Sequence, residues 1–301
     1  YVHAENDKEG KWHGISAFDI ETGKTISSNN DKISWSEVIS KQLINLAKKD
    51  EDIIAITPAM ANGAKLNNFK ETYPKRFIDV GIAEEHALVL ANAMAIEGKK
   101  PFVSIYSTFL QRGYDQVQQD IARMNQPVVI GIDRAGIVGA DGETHQGMLD
   151  MAFFRLIPNL TIMAPKDFKE LEDMLEFAIN LKKPVVIRYP RGGESEYKFE
   201  NYCKIEEGTS EILKTGEDVT IIAIGKMVAR AMQIAEELGI PILAHCEDIT
   251  MVEGGVMHAD EKAKALGLKG ITNAVEDIIT ARDILLSKET GARLHLCHCS
   301  T

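Results

Sequence analysis

The sequence predicts an α/β fold, a parallel sheet with helices on both faces, followed by a truncated α/β segment. Two observations predict it. Short, nearly continuous apolar runs alternate with stretches of helical spacing from Ser34 to Ile187, and such runs suit strands buried on both faces. The 301 residues are 45% hydrophobic and 26% charged, near globular averages, with enough length for a sizeable core and for more than one domain.

Residues 1–30 show little periodicity and read as an arm or linker. Order begins at Ser34-Trp-Ser-Glu37, a capping-box pattern, and Val38, Ile39, Leu43 and Leu46 can form one apolar helix stripe. Strands follow at Ile53–Ile56, Phe77–Val80, Phe102–Ile105, Val128–Ile132, Thr161–Met163 and Val185–Ile187. Helices are expected between them at Glu84–Ile96, Tyr114–Met124 and Phe168–Leu181. This places one domain at 31–192 and a polar linker at 193–215. A strand Val219–Ile224 and a helix Val228–Leu238 open a second domain at 216–240. Over 241–301 the pattern gives a strand Ile242–Ala244, an amphipathic helix Ala274–Leu286 and a last strand Leu294–Cys297.

The net charge is −11 and the sequence pI about 5.3, so the basic excess of a nucleic-acid groove is missing. No apolar run reaches the length of a membrane span, and no signal segment opens the chain. The four cysteines, Cys203, Cys246, Cys297 and Cys299, lie in the last third, unlike a secreted disulfide scaffold. The expected location is cytoplasmic. Both ends, at Tyr1 and Thr301, read as cut.

In a parallel sheet, loops at the carboxyl ends of strands are the natural ligand sites. Three segments there carry unusual chemistry: Gly81-Ile-Ala-Glu-Glu-His86, Tyr106-Ser-Thr-Phe-Leu-Gln-Arg112 and the run from Asp133 to Gly147 that contains Gly-Ala-Asp-Gly-Glu-Thr-His. With Arg188-Tyr-Pro-Arg-Gly192 they resemble the 1-deoxy-D-xylulose-5-phosphate synthase family, from about His13 to about Ile240. The resemblance implies a transferase that condenses pyruvate with glyceraldehyde 3-phosphate and releases carbon dioxide. It implies thiamine diphosphate and Mg²⁺ as cofactors, a homodimer, and a product feeding isoprenoid and thiamine biosynthesis.

The resemblance also implies roles. Thiamine chemistry needs a carboxylate beside N1′ of the aminopyrimidine, and Glu84 stands at that position. By itself a Glu there is a first-turn carboxylate stabilised by the helix dipole. Phe109 matches the aromatic stacked on the pyrimidine, and Arg112, one helical turn on, supports the same ring. Tyr106, Arg134, Asp141 and Arg191 match positions around the phosphorylated acceptor, where a planar guanidinium fork suits phosphate. His145 matches a histidine facing the reacting centre, with a reference pKa suited to moving protons at neutral pH. Where the family usually has Ala-Met-Pro-x-Gly-Thr-Gly, this chain reads Ala59-Met-Ala-Asn-Gly-Ala-Lys65. The family's Gly-Asp-Gly…Asn signature for Mg²⁺ and diphosphate does not occur in the sequence.

After about Ile240 the motifs change. Pro241-Ile-Leu-Ala-His-Cys-Glu-Asp248, Gly254-Gly-Val-Met-His258 and Leu296-Cys-His-Cys-Ser-Thr301 resemble dihydroorotase, a zinc amidohydrolase built on a barrel. The resemblance implies Zn²⁺ at His245 and His298, each just after an apolar strand. The expectation is a chimeric fragment, synthase to about residue 240 and dihydroorotase-like over 241–301, inactive by itself. Two alternatives stand beside it: a zinc hydrolase fragment, and a non-catalytic α/β module that dimerises.

Overall fold

The computed structural model describes residues 1–7, 12, 17–24, 26, 33–215, 220–237, 241–245, 257–258, 261–271 and 293–297. For residues 236–237 and for all strands beyond residue 240 the backbone alone is described. The chain divides into two compact units, Tyr1–Met163 with Leu175–Glu194, and Ala164–Met174 with Ser195–Thr301.

The first unit holds a six-stranded, wholly parallel sheet. In chain order its elements are α1 (Val2–Glu5), α2 (Trp35–Lys49), β1 (Ile53–Thr57), α3 (Asn67–Thr72), β2 (Phe77–Asp79), α4 (Glu84–Ile96), β3 (Lys100–Tyr106), α5 (Ser107–Leu110), α6 (Tyr114–Gln116), β4 (Val129–Asp133), α7 (Asp150–Phe154), β5 (Thr161–Met163), α8 (Phe168–Asn180) and β6 (Val185–Arg188). The spatial order is β2-β1-β3-β4-β6-β5. The chain leaves β1 toward one edge and resumes at β3 on its other side, so a topological switch point lies between them, where such sheets open a ligand crevice at the strand carboxyl ends.

The capping box at Ser34 is formed: its hydroxyl accepts from the Glu37 N–H, and the Glu37 carboxylate accepts from the Ser34 N–H. The Trp35 N–H and indole N–H donate to the carbonyls of Gly192 and Gly193, the indole at 3.0 Å. The start of α2 is thereby tied to the segment after β6. One face of the sheet packs Ile56, Val103, Ile105, Ile130 and Ile132 against Ala87, Leu88 and Ala91 of α4. On the alternate side of the pleat, Gly131 is obligatory. A β-carbon there meets the Phe102 ring at 2.4 Å and the Tyr189 hydroxyl at 3.3 Å, and both rings are fully buried.

The expected helix Tyr114–Met124 is replaced by a broken run: α5, a 3₁₀ turn Gln111–Gly113, α6 and a π-helical stretch Val117–Ala122. Gly113 lies so close under α4 that a β-carbon would sit 2.3 Å from Leu88 Cδ1. The wider π turn brings Val117, Ile121 and Ala122 into the core together. Apolar spacing alone does not distinguish it from an α-helix. The arm carries α1 and an aromatic cluster of Tyr1, His3, Trp12 and Phe18, with ring centroids 4.7–6.0 Å apart.

The second unit contains the start of α8, then α9 (Met227–Glu237), β7 (Pro241–His245), β8 (Met257–His258), α10 (Glu261–Ala265), β9 (Gly270–Ile271) and β10 (Arg293–Cys297). Among the described residues its strands form two parallel pairs, β10 with β7 and β8 with β9. The expected strand Val219–Ile224 is not formed over 220–224; Ile222 is 93% exposed, and the run has no pairing edge among the described residues. The expected helix Ala274–Leu286 lies outside the described residues. Lys166, almost fully buried, bonds Glu170 and Glu211 at 2.8 Å and lies over the rings of Phe199 and Tyr202.

Candidate active site

The carboxyl ends of β3 and β4 lie side by side, with Tyr106 paired in register to Asp133. From them an unbroken chain of contacts runs through the residues singled out in the sequence. His145 meets Phe109 edge-on at 5.3 Å, and Phe109 stacks on Tyr106 at 5.4 Å with the planes 8° apart. The Arg134 guanidinium lies over the other part of this stack, 4.2 Å from the Tyr106 centroid. Asp141 then bridges two arginines, with Oδ2 3.5 Å from Arg134 Nε and Oδ1 3.2 Å from Arg191 Nε.

Glu84 opens α4 and is 3% exposed. Its Oε2 faces Arg112 Nη1 at 3.0 Å, yet that oxygen has no hydrogen bond of good geometry. Arg112 also lies 4.0 Å from Glu85. Arg112 of the Glu84 pair and Phe109 of the His145-to-Arg191 chain both belong to the Ser107–Gly113 run. A buried carboxylate oxygen short of a hydrogen-bond partner suits the nitrogen edge of an aminopyrimidine ring, and a partly exposed aromatic such as Phe109 suits its face.

The loop from Arg134 to Gly147 is braced by its own residues. Gly136 and Gly147 exchange both backbone hydrogen bonds at 2.8 Å. The Gln146 amide accepts from the Val138 N–H and donates to the carbonyls of Val138 and Gly142. Asp141 and His145 are thus held by a side chain that the sequence did not single out. Thr144 Oγ1 lies 2.8 Å from His145 Nδ1. Burial pushes the Tyr106 phenol up to about 12, so its hydroxyl remains a donor throughout the physiological range.

Residues missed in the sequence are Asp133, Ser36 and Gly63. Asp133 is fully buried and accepts from Ser36 Oγ at 2.6 Å and from Arg134 Nη1 at 2.9 Å. Gly63 lies against Tyr106, where a β-carbon would fall 2.1 Å from the hydroxyl. The signal for Asp133 was present, since a carboxylate closing an apolar strand run is costly unless paired.

The departure from the family motif has a structural consequence. Lys65 stands where the family usually has Gly, and its φ is +59°, a region that L-residues enter at a cost of about 1–2 kcal/mol. Lys65→Gly is expected to stabilise the chain by about 0.5–1 kcal/mol, read as a rise in the denaturation midpoint; a fall would show that Lys65 contacts outweigh the strain.

Among the described residues no group of three or more His, Cys, Asp or Glu is placed to hold a metal. His245 closes β7 as a backbone position, and His298 lies outside the described residues. No helix of the described residues is long and apolar enough to cross a membrane.

A parallel sheet of this order, with a buried carboxylate and an aromatic at its carboxyl edge, is the architecture of a cofactor-binding α/β domain. The chain belongs to the transketolase pyrimidine-binding domain family, whose model matches residues 31–193. A second model, dihydro-orotase-like, matches residues 159–301. Among curated relatives, the 1-deoxy-D-xylulose-5-phosphate synthase of Geobacillus sp. is 49% identical over 240 residues, covering 79% of this chain and 38% of the relative. That of Caldanaerobacter subterraneus subsp. tengcongensis is 43% identical over 295 residues, covering 98% of this chain and 46% of the relative. The chain therefore spans less than half the length of these relatives. Among solved structures, a split-gene transketolase described as an inactive beta4 tetramer aligns with a TM-score of 0.60 at 23% identity, over 88% of this chain and 79% of that one. That likeness supports the fold.

Proposed function

We propose that this chain supplies the pyrimidine-binding part of a thiamine-diphosphate-dependent transferase that joins pyruvate to glyceraldehyde 3-phosphate. The observation that carries the reading is Glu84, a buried carboxylate with an oxygen short of a hydrogen-bond partner, at the first turn of α4. The similarity to 1-deoxy-D-xylulose-5-phosphate synthases supports the choice of substrates.

When bound, thiamine diphosphate supplies the carbanion chemistry at the reacting carbon. In the proposal Glu84 holds a proton at N1′ of the aminopyrimidine, and Arg112, 3.0 Å away, orients that carboxylate. Phe109 presents its face to the ring. His145, held at Nδ1 by Thr144 and against Phe109, leaves Nε2 to move a proton at the acceptor carbonyl. Arg134 and Arg191 take the acceptor phosphate, with Tyr106 and Asp141 fixing their geometry. The Gly-Asp-Gly…Asn run that serves Mg²⁺ and the diphosphate in the family does not occur in this sequence, so the proposal assigns both to a complementary half. The test is to mix the chain with the diphosphate-holding half of a relative, Mg²⁺, the cofactor and both substrates. Product in the mixture alone is expected; a mixture without turnover would overturn the reading.

We assign 31–192 to the pyrimidine domain, 193–215 to a linker and 216–240 to the start of the following domain. The outer face of α4 presents Val89, Leu90, Ala93 and Ile96, an apolar and largely exposed set. A helix apolar on all sides is normally covered, which supports a homodimer through this face. Val89→Asp together with Ile96→Asp is expected to convert dimer to monomer in sedimentation; an unchanged mass would place the contact elsewhere.

A second reading concerns 241–301. The dihydro-orotase-like match and the parallel register Cys297↔His245 favour it, because that register brings His245 and the residue before His298 to one carboxyl edge, as in barrel metal sites. Against it, the Caldanaerobacter synthase alignment continues through 98% of the chain. About one zinc per chain after gentle purification would support a dihydroorotase-like fragment, and none would remove it.

A further inference from the structure

We infer that Asp133, seated by Ser36, is a positioning residue that aims the Arg134 guanidinium at the acceptor's phosphate. The inference rests on the phosphate-binding role proposed for Arg134. Asp133 is the last residue of β4, and its side chain is wholly buried. Its Oδ1 takes both Arg134 Nη1 at 2.9 Å and the backbone N–H of Arg134 at 2.8 Å. Its Oδ2 takes the Ser36 hydroxyl at 2.6 Å. Ser36 is itself buried in the first turn of α2. Arg134 Nη1 lies a further 3.4 Å from Ser36 Oγ and 3.5 Å from the Gly63 carbonyl. One nitrogen of the fork is therefore anchored on three sides by α2, β4 and the loop after β1.

The rest of the fork is arranged differently. Arg134 Nε and Asp141 Oδ2 face each other at 3.5 Å, and both are buried without a hydrogen bond. The side chain, fixed at that end and 14% exposed, keeps part of its fork open to an incoming anionic oxygen. Arg134 is also held at a φ of +58°, a backbone cost that the Asp133 contacts offset locally. Burial raises the Asp133 carboxyl above its ordinary range. The ionised form thus costs stability at neutral pH, a cost absent only below the usual carboxylate range. A strand-end carboxylate kept under that cost is better explained by the geometry it imposes than by any gain in stability.

The function of the anchor predicts a specific pattern. Asp133→Asn keeps the shape and the Ser36 contact but loses the charge that grips Nη1. Glycerol 3-phosphate, titrated into the full chain by calorimetry, is expected to bind at least tenfold more weakly to Asp133→Asn. Ser36→Ala is expected to give a smaller loss in the same direction. In an Arg134→Met background the Asp133→Asn change is expected to have no further effect, because the residue acts through the arginine. The Arg134 Nε–H resonance gives a reading that needs no ligand. It is expected to be resolved and exchange-protected in the wild type, and to collapse into the bulk arginine signal in Asp133→Asn with unfolding midpoints matched. An unchanged resonance overturns the positioning role, as does equal binding by the wild type and Asp133→Asn. A wild type that does not bind the probe while the resonance still collapses removes the phosphate-binding role of Arg134 and leaves its anchoring by Asp133 established.

Discussion

Replacing Glu84 by Gln is expected to lower turnover of the reassembled enzyme about a thousandfold, within the range for losing a positioned proton-transfer group. The substitution is isosteric, so α4 keeps its first turn and its packing on Gly113. What changes is the ability to hold a proton at the aminopyrimidine nitrogen and to pair ionically with Arg112, now 3.0 Å away. Folding and the α4 face should be unaffected, which separates this account from a chain that merely dimerises. Thermal unfolding, sedimentation and steady-state rates on the same preparation give the comparison. Turnover within a few-fold of wild type would mean that Glu84 is only a first-turn carboxylate favoured by the helix dipole.

The largest effect on stability is expected at Arg188. Its Nε and Nη2 form a two-pronged contact with Asp150 at 3.0 and 3.1 Å, and Asp150 is 1% exposed. Asp150 also accepts the Met151 N–H at 2.7 Å, at the start of α7. Arg188→Leu leaves that carboxylate buried without its counter-ion, at a cost of about 3–5 kcal/mol. In a unit of this size each 1 kcal/mol moves the midpoint by about 2–4 °C, so the fall should be easy to read. Adding Asp150→Asn should recover a large part of the loss. Equal midpoints for wild type and Arg188→Leu would show that water already screens the pair. Arg188 also leads into the Tyr189–Gly192 segment that carries Arg191, so the loss should extend to the acceptor side of the site.

The sheet was legible because burial on both faces writes itself into consecutive apolar residues. Ile53–Ile56 and Val185–Ile187 each appear as strands extended by one residue, and Glu84–Ile96 and Thr161–Met163 appear with the expected bounds. The helix after β3 was misread because a π turn differs from an α turn only in where its inward residues fall, and that is decided by how closely α4 approaches Gly113. The unformed strand at 220–224 failed for another reason: Ile221, Ile222 and Ile224 have strand composition, but a strand exists only where an edge accepts it.

For the site, the family resemblance singled out residues whose chemistry is visible at the surface of a motif, such as Phe109, Arg134 and His145. The contacts that hold them were not legible. Ser36 reads as an ordinary first-turn serine, Gln146 as a loop amide and Gly63 as the glycine of a loop motif. Each acquires its role only when distant segments meet: Ser36 with Asp133, Gln146 with Val138 and Gly63 with Tyr106.

The most direct test is calorimetric titration of thiamine diphosphate with Mg²⁺ into the chain mixed with the diphosphate-holding half of a relative, repeated with its Glu84→Gln and Phe109→Ala forms. One equivalent bound by the wild type, at least tenfold more weakly by each variant, is the expected result. Isotherms that are flat, or identical for all three proteins, would contradict the assignment of Glu84 and Phe109 to the aminopyrimidine ring.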